Sequence, residues 1–300
     1  MRDAAEVADG GAPPTVSLIG LGAMGLPMAR NLAAAGPLTV WNRSPRSSAE
    51  VGGARVAQTL PDAVADVVVT VLPDIADVRD VLFGTGSGEG LLAGLGRRAR
   101  RPIVLVCGTV SPVALRGLAA EMDERGVTIA DAPLSGGVLG AAEGRLSIMV
   151  GASEPDFAVI GRVLAPCAKS VVRMGDVGAG ATAKLCNQLV VAESVAALSE
   201  AFALARAAGI DPETLADALG AGLAESEVLR QKRHHWVEES FEPGGTVAYQ
   251  VKDLRYALEV AAAHGLELDG ARTALSLFER SVAAGDGGLD HTGVYRVIAR

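Results

Sequence analysis

A short apolar segment, Thr15-Val16-Ser17-Leu18-Ile19, runs directly into Gly20-Leu21-Gly22-Ala23-Met24-Gly25, and a helix-forming stretch follows. Few local patterns constrain a chain more. The strand has to turn sharply into a helix, and glycines at the first, third and sixth positions allow it. Gly20 permits the tight turn, Gly22 lets the backbone approach a pyrophosphate, and Gly25 lets the helix pack close to the strand. The start of such a helix offers unpaired N–H groups and the positive end of its dipole to a phosphate. The spacing predicts a dinucleotide-binding unit, with Gly20, Leu21, Gly22, Ala23, Met24 and Gly25 along the pyrophosphate.

The rest of the first half repeats the same grammar. Apolar strand candidates lie at Val16–Ile19, Leu38–Trp41, Val67–Leu72, Ile103–Val106, Val127–Ala130, Leu146–Val150 and Ser170–Arg173. Amphipathic segments such as Ser111–Arg125 and Glu154–Leu164 separate most of them. Such β-α alternation predicts a doubly wound, mostly parallel sheet, an α/β Rossmann domain. After Gly175 the pattern changes. Ala179 to Ala208 holds no proline and one early glycine, and Gly209 and Asp211-Pro212 end it. Helical segments follow at Pro212–Leu219, Ser226–Glu239, Val247–His264 and Gly270–Ala284. The expected organisation is a disordered tail over 1–13, a nucleotide-binding domain over 14–175 and an all-helical domain over 176–300.

The helix from Ala179 is apolar nearly all round, with Leu185, Leu189, Val190, Val195, Leu198 and Phe202 spread over its circumference. It therefore has to be buried on several sides. One small helical domain has little to cover it with, so a homodimer or higher homo-oligomer is expected.

Composition narrows the function classes. A net charge of −8 argues against a nucleic-acid partner, and the one basic run, Arg97-Arg98-Ala99-Arg100-Arg101, reads as a solvated loop. The three cysteines, Cys107, Cys167 and Cys186, include no CxxC pair and fit a reducing, cytoplasmic setting. No His, Asp, Glu or Cys cluster suggests a metal. The long uncharged stretch from Gly10 to Ala29 is broken by five glycines and three prolines, so no membrane span is expected there.

Candidate chemistry sits at four places. The second strand ends at Asn42-Arg43-Ser44-Pro45-Arg46, where an acidic residue would bind the adenosine ribose of NAD. With Asn42 there instead, and Arg43, Ser44 and Arg46 able to hold a 2′-phosphate, NADP is favoured and NAD is the alternative. Asp131-Ala132-Pro133-Leu134-Ser135-Gly136-Gly137 contains no helix-forming run. Its hydroxyl and backbone N–H groups suit a carboxylate, and an ordinary loop is the competing reading. Lys184 lies early in the apolar helix, with Asn187 and Gln188 one turn on. It either snorkels to water or, with its pKa lowered by burial, acts as an acid/base. Lys252 precedes Asp253, as an ion pair at a helix start or as a group folded over the cofactor. The histidines, including His291 beside Asp290, point to structural roles.

Taken in order, GLGAMG at 20–25, GTVSP at 108–112, DAPLSGG at 131–137, GAGATAKLCNQ at 178–188 and VKDL at 251–254 resemble the β-hydroxyacid dehydrogenase family. That family includes 3-hydroxyisobutyrate dehydrogenases, tartronate semialdehyde reductases and, more distantly, 6-phosphogluconate dehydrogenase. The resemblance implies a Rossmann domain followed by a helical domain, a dimer or tetramer, and a small carboxylate substrate. It implies that Leu72-Pro73 border the cofactor and that Thr109 contacts it near the nicotinamide. It also implies that Ser135, Gly136 and Gly137 hold the substrate carboxylate and that Asn187 or Gln188 orients the substrate. Lys184 is then the acid/base, and Lys252 lies against the cofactor. Within the family, Gly222–Ser226 and Leu289–Thr292 look more like the tartronate semialdehyde reductase branch. Three departures touch the pocket: Gly108 where relatives often have Ser, Gly245 where many have a bulky side chain, and Leu268-Asp269-Gly270. Imine reduction on the same fold is a rival that Lys184 argues against. A cofactor-binding protein without catalysis is the rival from another class.

Overall fold

The computed structural model describes residues 13–86, 88–95 and 100–300. Residues 1–12 of the expected tail and the start of the basic run, 97–99, lie outside the described residues. In chain order the strands and helices are β1 (Val16–Ile19), α1 (Gly25–Ala35), β2 (Leu38–Trp41), β3 (Arg55–Val56), β4 (Val67–Thr70), α2 (Ile75–Phe83) and α3 (Leu92–Leu95). Next come β5 (Ile103–Val106), α4 (Pro112–Asp123), β6 (Thr128–Asp131), β7 (Leu134–Ser135), α5 (Gly137–Ala142), β8 (Leu146–Gly151), α6 (Glu154–Leu164) and β9 (Ala168–Gly175). The remainder is helical: α7 (Ala179–Ala207), α8 (Pro212–Gly220), α9 (Glu227–Glu238), α10 (Val247–Ala263), α11 (Asp269–Ala283) and α12 (Tyr295–Ile298).

The first six strands are parallel in the order β3-β2-β1-β4-β5-β6, so the chain changes direction across the sheet between β1 and β4. In an open α/β sheet that switch point, at the carboxyl ends of the strands, is where ligands bind. β8 runs antiparallel to β6 and β7, and β9 pairs parallel to β8. Strands buried on both faces read as unbroken apolar runs. Leu18, Val69 and Leu105 pack into one core, and Ile19, Val68 and Val104 into another on the opposite face.

Two short strands, β3 and β7, carry too few apolar residues to stand out in the sequence. β4 ends at Thr70, two residues short of the expectation, because Val71 and Leu72 already turn over the glycine-rich segment.

α7 is the spine of the helical half and packs against α8, α9, α10, α11 and α12. It is long and apolar enough to cross a membrane by length and composition. Here it forms the core of a helical bundle. Phe202 stacks on Trp236 with ring centroids 5.5 Å apart, and the Trp236 indole donates to Ser199 Oγ at 3.0 Å. Val195, Phe202, Trp236 and Phe278 are fully buried, and each such burial contributes about 1.5–3 kcal/mol. Within one chain α7 is covered on several sides but not all round. Cys186, Val190 and Leu204 lie on an exposed stripe.

Candidate active site

The glycine-rich turn has the geometry its spacing requires. Gly20 has φ +96°, where an L side chain is strained, and a Cβ on Gly25 would overlap the Gly20 carbonyl oxygen. A Cβ on Gly22 would meet nothing within 4 Å, so that face of the turn is open. Met24 at the start of α1 supplies no side-chain cap; Leu26 N–H donates to the Gly22 carbonyl at 3.1 Å and Pro27 carries no N–H, so an anion there would meet the positive end of the helix dipole. These residues fit the pyrophosphate of a dinucleotide.

Asn42 has a structural part beside the cofactor contact its position suggested. Its Oδ1 accepts from Leu21 N–H at 2.8 Å, and its Nδ2 donates to the Ser44 carbonyl at 2.9 Å. The side chain braces the glycine turn against the end of β2. Arg43 and Ser44 are exposed beside it, and Arg46 makes a half-exposed ion pair with Glu50 at 3.3 Å.

Leu72 lies between two glycines. A Cβ on Gly20 would crowd the Leu72 side chain, and one on Gly108 would overlap the Leu72 carbonyl oxygen. The departure at Gly108 thus lets the β4–α2 and β5–α4 turns approach more closely than a serine would.

α10 fastens the helical half to this same edge of the sheet. Lys252 Nζ donates to the Thr109 carbonyl and, at 3.0 Å, to Asp253 Oδ1. One turn on, Tyr256 Oη donates to Asp74 Oδ2 at 2.6 Å, and Ser111 Oγ donates to Glu259 Oε2 at 2.9 Å. Lys252, Tyr256 and Glu259 form one helical stripe, a periodicity visible in the sequence. Their partners were not visible there.

Lys184 is only 8% exposed. Burial lowers its pKa to about 8, the charge of Asp253 pulls it back up, and that of Lys252 pushes it down. The amide pair beside it is tied into one network. Asn187 Nδ2 donates to Gln188 Oε1 at 3.1 Å, Gln188 Nε2 donates to Asp253 Oδ2 at 2.7 Å, and Gln250 Nε2 donates to the Gln188 carbonyl at 3.2 Å. Lys184 therefore does not snorkel to bulk water. It is held in a polar pocket where α7 meets α10.

The segment after β6 is more regular than a loop. Ser135 closes β7 opposite Ser147, and Gly137 opens α5. Gly136 has φ +127° and Gly137 φ +66°, so the strand-to-helix corner needs both glycines and presents their backbone outward. The Ser-Gly-Gly trio sits on a built corner, which suits a fixed carboxylate site better than a flexible turn.

Asp131, at the head of that segment, is the functional candidate that sequence reasoning passed over. It is fully buried and accepts from Gly178 N–H and Ala181 N–H, both at 2.6 Å. The signal was present: α7 begins at a glycine with no side chain to cap it. His291, by contrast, lies beside Asp290 with its side chain 13% exposed and is held neutral, its pKa lowered to about 4 by desolvation. Asp290 itself takes Lys232 Nζ at 2.6 Å, so the cluster is a structural one.

Comparison with known proteins identifies the family of both halves. Residues 15–175 match the family model described as the NAD binding domain of 6-phosphogluconate dehydrogenase. Residues 178–298 match the one described as NAD-binding of NADP-dependent 3-hydroxyisobutyrate dehydrogenase. The chain is 35% identical to 2-hydroxy-3-oxopropionate reductase of Escherichia coli (strain K12), covering 94% of this chain and 96% of that protein. It is 33% identical to 2-(hydroxymethyl)glutarate dehydrogenase of Eubacterium barkeri over 94% of each. Among solved structures, Mycobacterium tuberculosis 3-hydroxyisobutyrate dehydrogenase with L-serine superposes with a TM-score of 0.82 at 29% identity, covering 96% of this chain and 100% of that one. With both halves matched, the chain belongs to the β-hydroxyacid dehydrogenase family, oxidoreductases that act on a CH–OH group with a nicotinamide dinucleotide.

Proposed function

We propose that this protein is an NADP(H)-preferring reductase of a small 3-hydroxy acid's semialdehyde or keto form, and that tartronate semialdehyde is the favoured substrate. The observation that carries the reading is Lys184, buried near the start of α7 with its pKa lowered to about 8, on a helix that packs against β8, the strand paired with Ser135. A general acid or base works best with a pKa near the working pH, and burial has moved this lysine towards it.

In this reading Ser135, Gly136 and Gly137 hold the substrate carboxylate, and Asn187 or Gln188 orients the reacting carbon. In reduction, the Lys184 ammonium gives a proton to the carbonyl oxygen. In oxidation, neutral Nζ takes the proton from the hydroxyl. The bound dinucleotide supplies or accepts the hydride. Gly20–Gly25 would hold its pyrophosphate, Arg43, Ser44 and Arg46 its 2′-phosphate, and Leu72, Pro73, Thr109 and Lys252 its path towards the nicotinamide end. Residues 14–175 and 176–300 act as the two halves of one cytoplasmic enzyme that is a homodimer or a higher homo-oligomer.

Gly245 supports a second substrate reading. A Cβ there would meet only His291 Nδ1, at 3.9 Å, so space is left where relatives carry bulk, and a longer semialdehyde would gain room if the substrate reaches it.

The test is a panel of tartronate semialdehyde, succinic semialdehyde, glyoxylate and a cyclic imine, each assayed with NADPH and with NADH. Fastest turnover is expected on tartronate semialdehyde with NADPH. Preference for the imine, or no turnover at all, would overturn the reading. Lys184→Met should lower kcat by about 10²-fold or more while NADPH binding changes by only about two- to threefold. Near-normal turnover would remove Lys184 from the mechanism.

A further inference from the structure

The helix that carries Lys184 has no cap of its own. Gly178 precedes its first turn with φ +89° and offers no side chain, although a helix N-terminus leaves several N–H groups unpaired. A carboxylate from the sheet takes that place. Asp131 Oδ1 accepts from Gly178 N–H and Oδ2 accepts from Ala181 N–H, so both oxygens are used on one helical turn.

The surroundings are shaped around this carboxylate. A Cβ on Gly151, opposite Asp131 in the sheet, would strike its oxygens, and one on Gly180 would come within 2.7 Å of Oδ2. Gly178 packs against the Arg116 guanidinium from α4. Glycines thus stand on two sides, at 151 and 180, where any other residue would push the carboxylate off the helix, and Gly178 leaves room for Arg116. Lys184 lies one turn beyond Ala181, and Ser135 follows four residues after Asp131.

We infer that Asp131 is a positioning residue: its ionised carboxylate locks the start of α7 to the end of β6 and so sets Lys184 relative to the Ser135–Gly137 corner. The inference rests on the roles proposed above for those residues. Two halves of a substrate site that come from distant stretches of chain are tied at one point. Loss of that tie should act on catalytic geometry, where a displacement of about 1 Å costs on the order of 10²-fold in rate.

The clamp is titratable. Burial raises the Asp131 pKa to about 6, the two backbone N–H bonds lower it, and the positive charge of Arg116 lowers it further. The groups that face it from the packed elements are Arg116 on α4 and the buried Cys107 thiol after β5, which burial keeps neutral. β8 contributes the Met149 carbonyl and Gly151, neither of which titrates. Protonation turns one oxygen into a hydroxyl donor, and one N–H of α7 then loses its acceptor. A carboxyl whose folded pKa is raised gains a proton in the native state first. Global stability is therefore not lost through this group as pH falls from 6 towards the ordinary carboxylate value, and loosening stays local.

Amide hydrogen exchange on the wild-type protein between pH 7.5 and about 5 tests the clamp directly. After correction for intrinsic exchange rates, protection at Gly178 and Ala181 should fall below pH 6 by about tenfold, while that at Val195 and Phe202 is unchanged. Uniform protection across α7 would overturn the proposal. As a second measurement, Asp131→Asn keeps one acceptor but turns an amide NH₂ towards the other N–H. It should lower kcat by about 10- to 100-fold per NADPH-binding site, with KM for cofactor nearly unchanged and the acid limb near pH 6 removed. A variant that binds NADPH stoichiometrically and keeps kcat and the acid limb would sink the idea. Failure of Lys184→Met to reduce turnover would count against the proposed function instead, and the exchange result would stand by itself.

Discussion

Gln188 Nε2 donates to Asp253 Oδ2 at 2.7 Å, a bond between α7 and α10 that joins residues 65 positions apart. It places the buried Asp253 charge in the pocket of Lys184, where it opposes the effect of burial. The lysine is thereby kept protonated near neutrality while remaining able to release its proton just above it.

The sign of the pH dependence follows. Reduction needs the ammonium form of Lys184 and oxidation the neutral form. With a pKa of about 8 for Lys184, the reductive kcat should fall above pH 8 and stay flat below it down to the Asp131 limb near pH 6. The oxidative rate should rise through the same pH and level off. Initial-rate profiles in both directions check this, and parallel profiles in the two directions would contradict it.

Asp253→Asn removes the charge that holds the Lys184 pKa up. The alkaline limb of reduction should then move to lower pH by about one unit. The variant still accepts hydrogen bonds from Lys252 or Gln188, so its melting temperature should change little compared with its profile. An unmoved limb would show that Asp253 acts on the fold alone.

Cofactor choice rests on exposed arginines. Arg43 and Arg46 are solvent-exposed, so each contact with a 2′-phosphate should contribute about 1 kcal/mol. Replacing both with Ala should raise the Kd for NADPH by about 30-fold and leave that for NADH within about twofold. Fluorescence titration distinguishes this from an equal loss for both cofactors, which would point to NAD.

Gly108→Ser places a Cβ against the Leu72 carbonyl oxygen. Overpacking of this kind costs about 1–3 kcal/mol, and the β4–α2 turn should shift away from the glycine-rich turn. A lower melting temperature together with weaker NADPH binding is the expected result. Unchanged values for both would show that the turn has slack.

The exposed stripe on α7 predicts assembly. Val190 and Leu204 are 65% and 72% exposed, and covering each would contribute about 1.5–3 kcal/mol. Light scattering after size exclusion should give at least twice the 30.5 kDa chain mass. Val190→Asp with Leu204→Asp should shift it to the monomer. A wild-type monomer at micromolar concentration would end the proposal.

What the sequence determined by itself is whatever depends on near neighbours. The turn at Gly20–Gly25, the parallel sheet and the single long helix follow from periodicity and steric allowance within a few residues. Even the stripe Lys252, Tyr256 and Glu259 is a helical repeat. The short strand at Leu134–Ser135 was invisible, because two residues carry no period and gain their pairing only from β8. What tertiary structure decided is charge and position. A lysine's pKa drops only when packing removes its water, and a carboxylate caps a helix 47 residues away only when the sheet delivers it there. Asn42 shows the same limit: its place after β2 was legible, but its work of bracing Leu21 was set by the distance between two strand ends. Desolvation and long-range hydrogen bonding depend on the whole fold, and no local spacing encodes them.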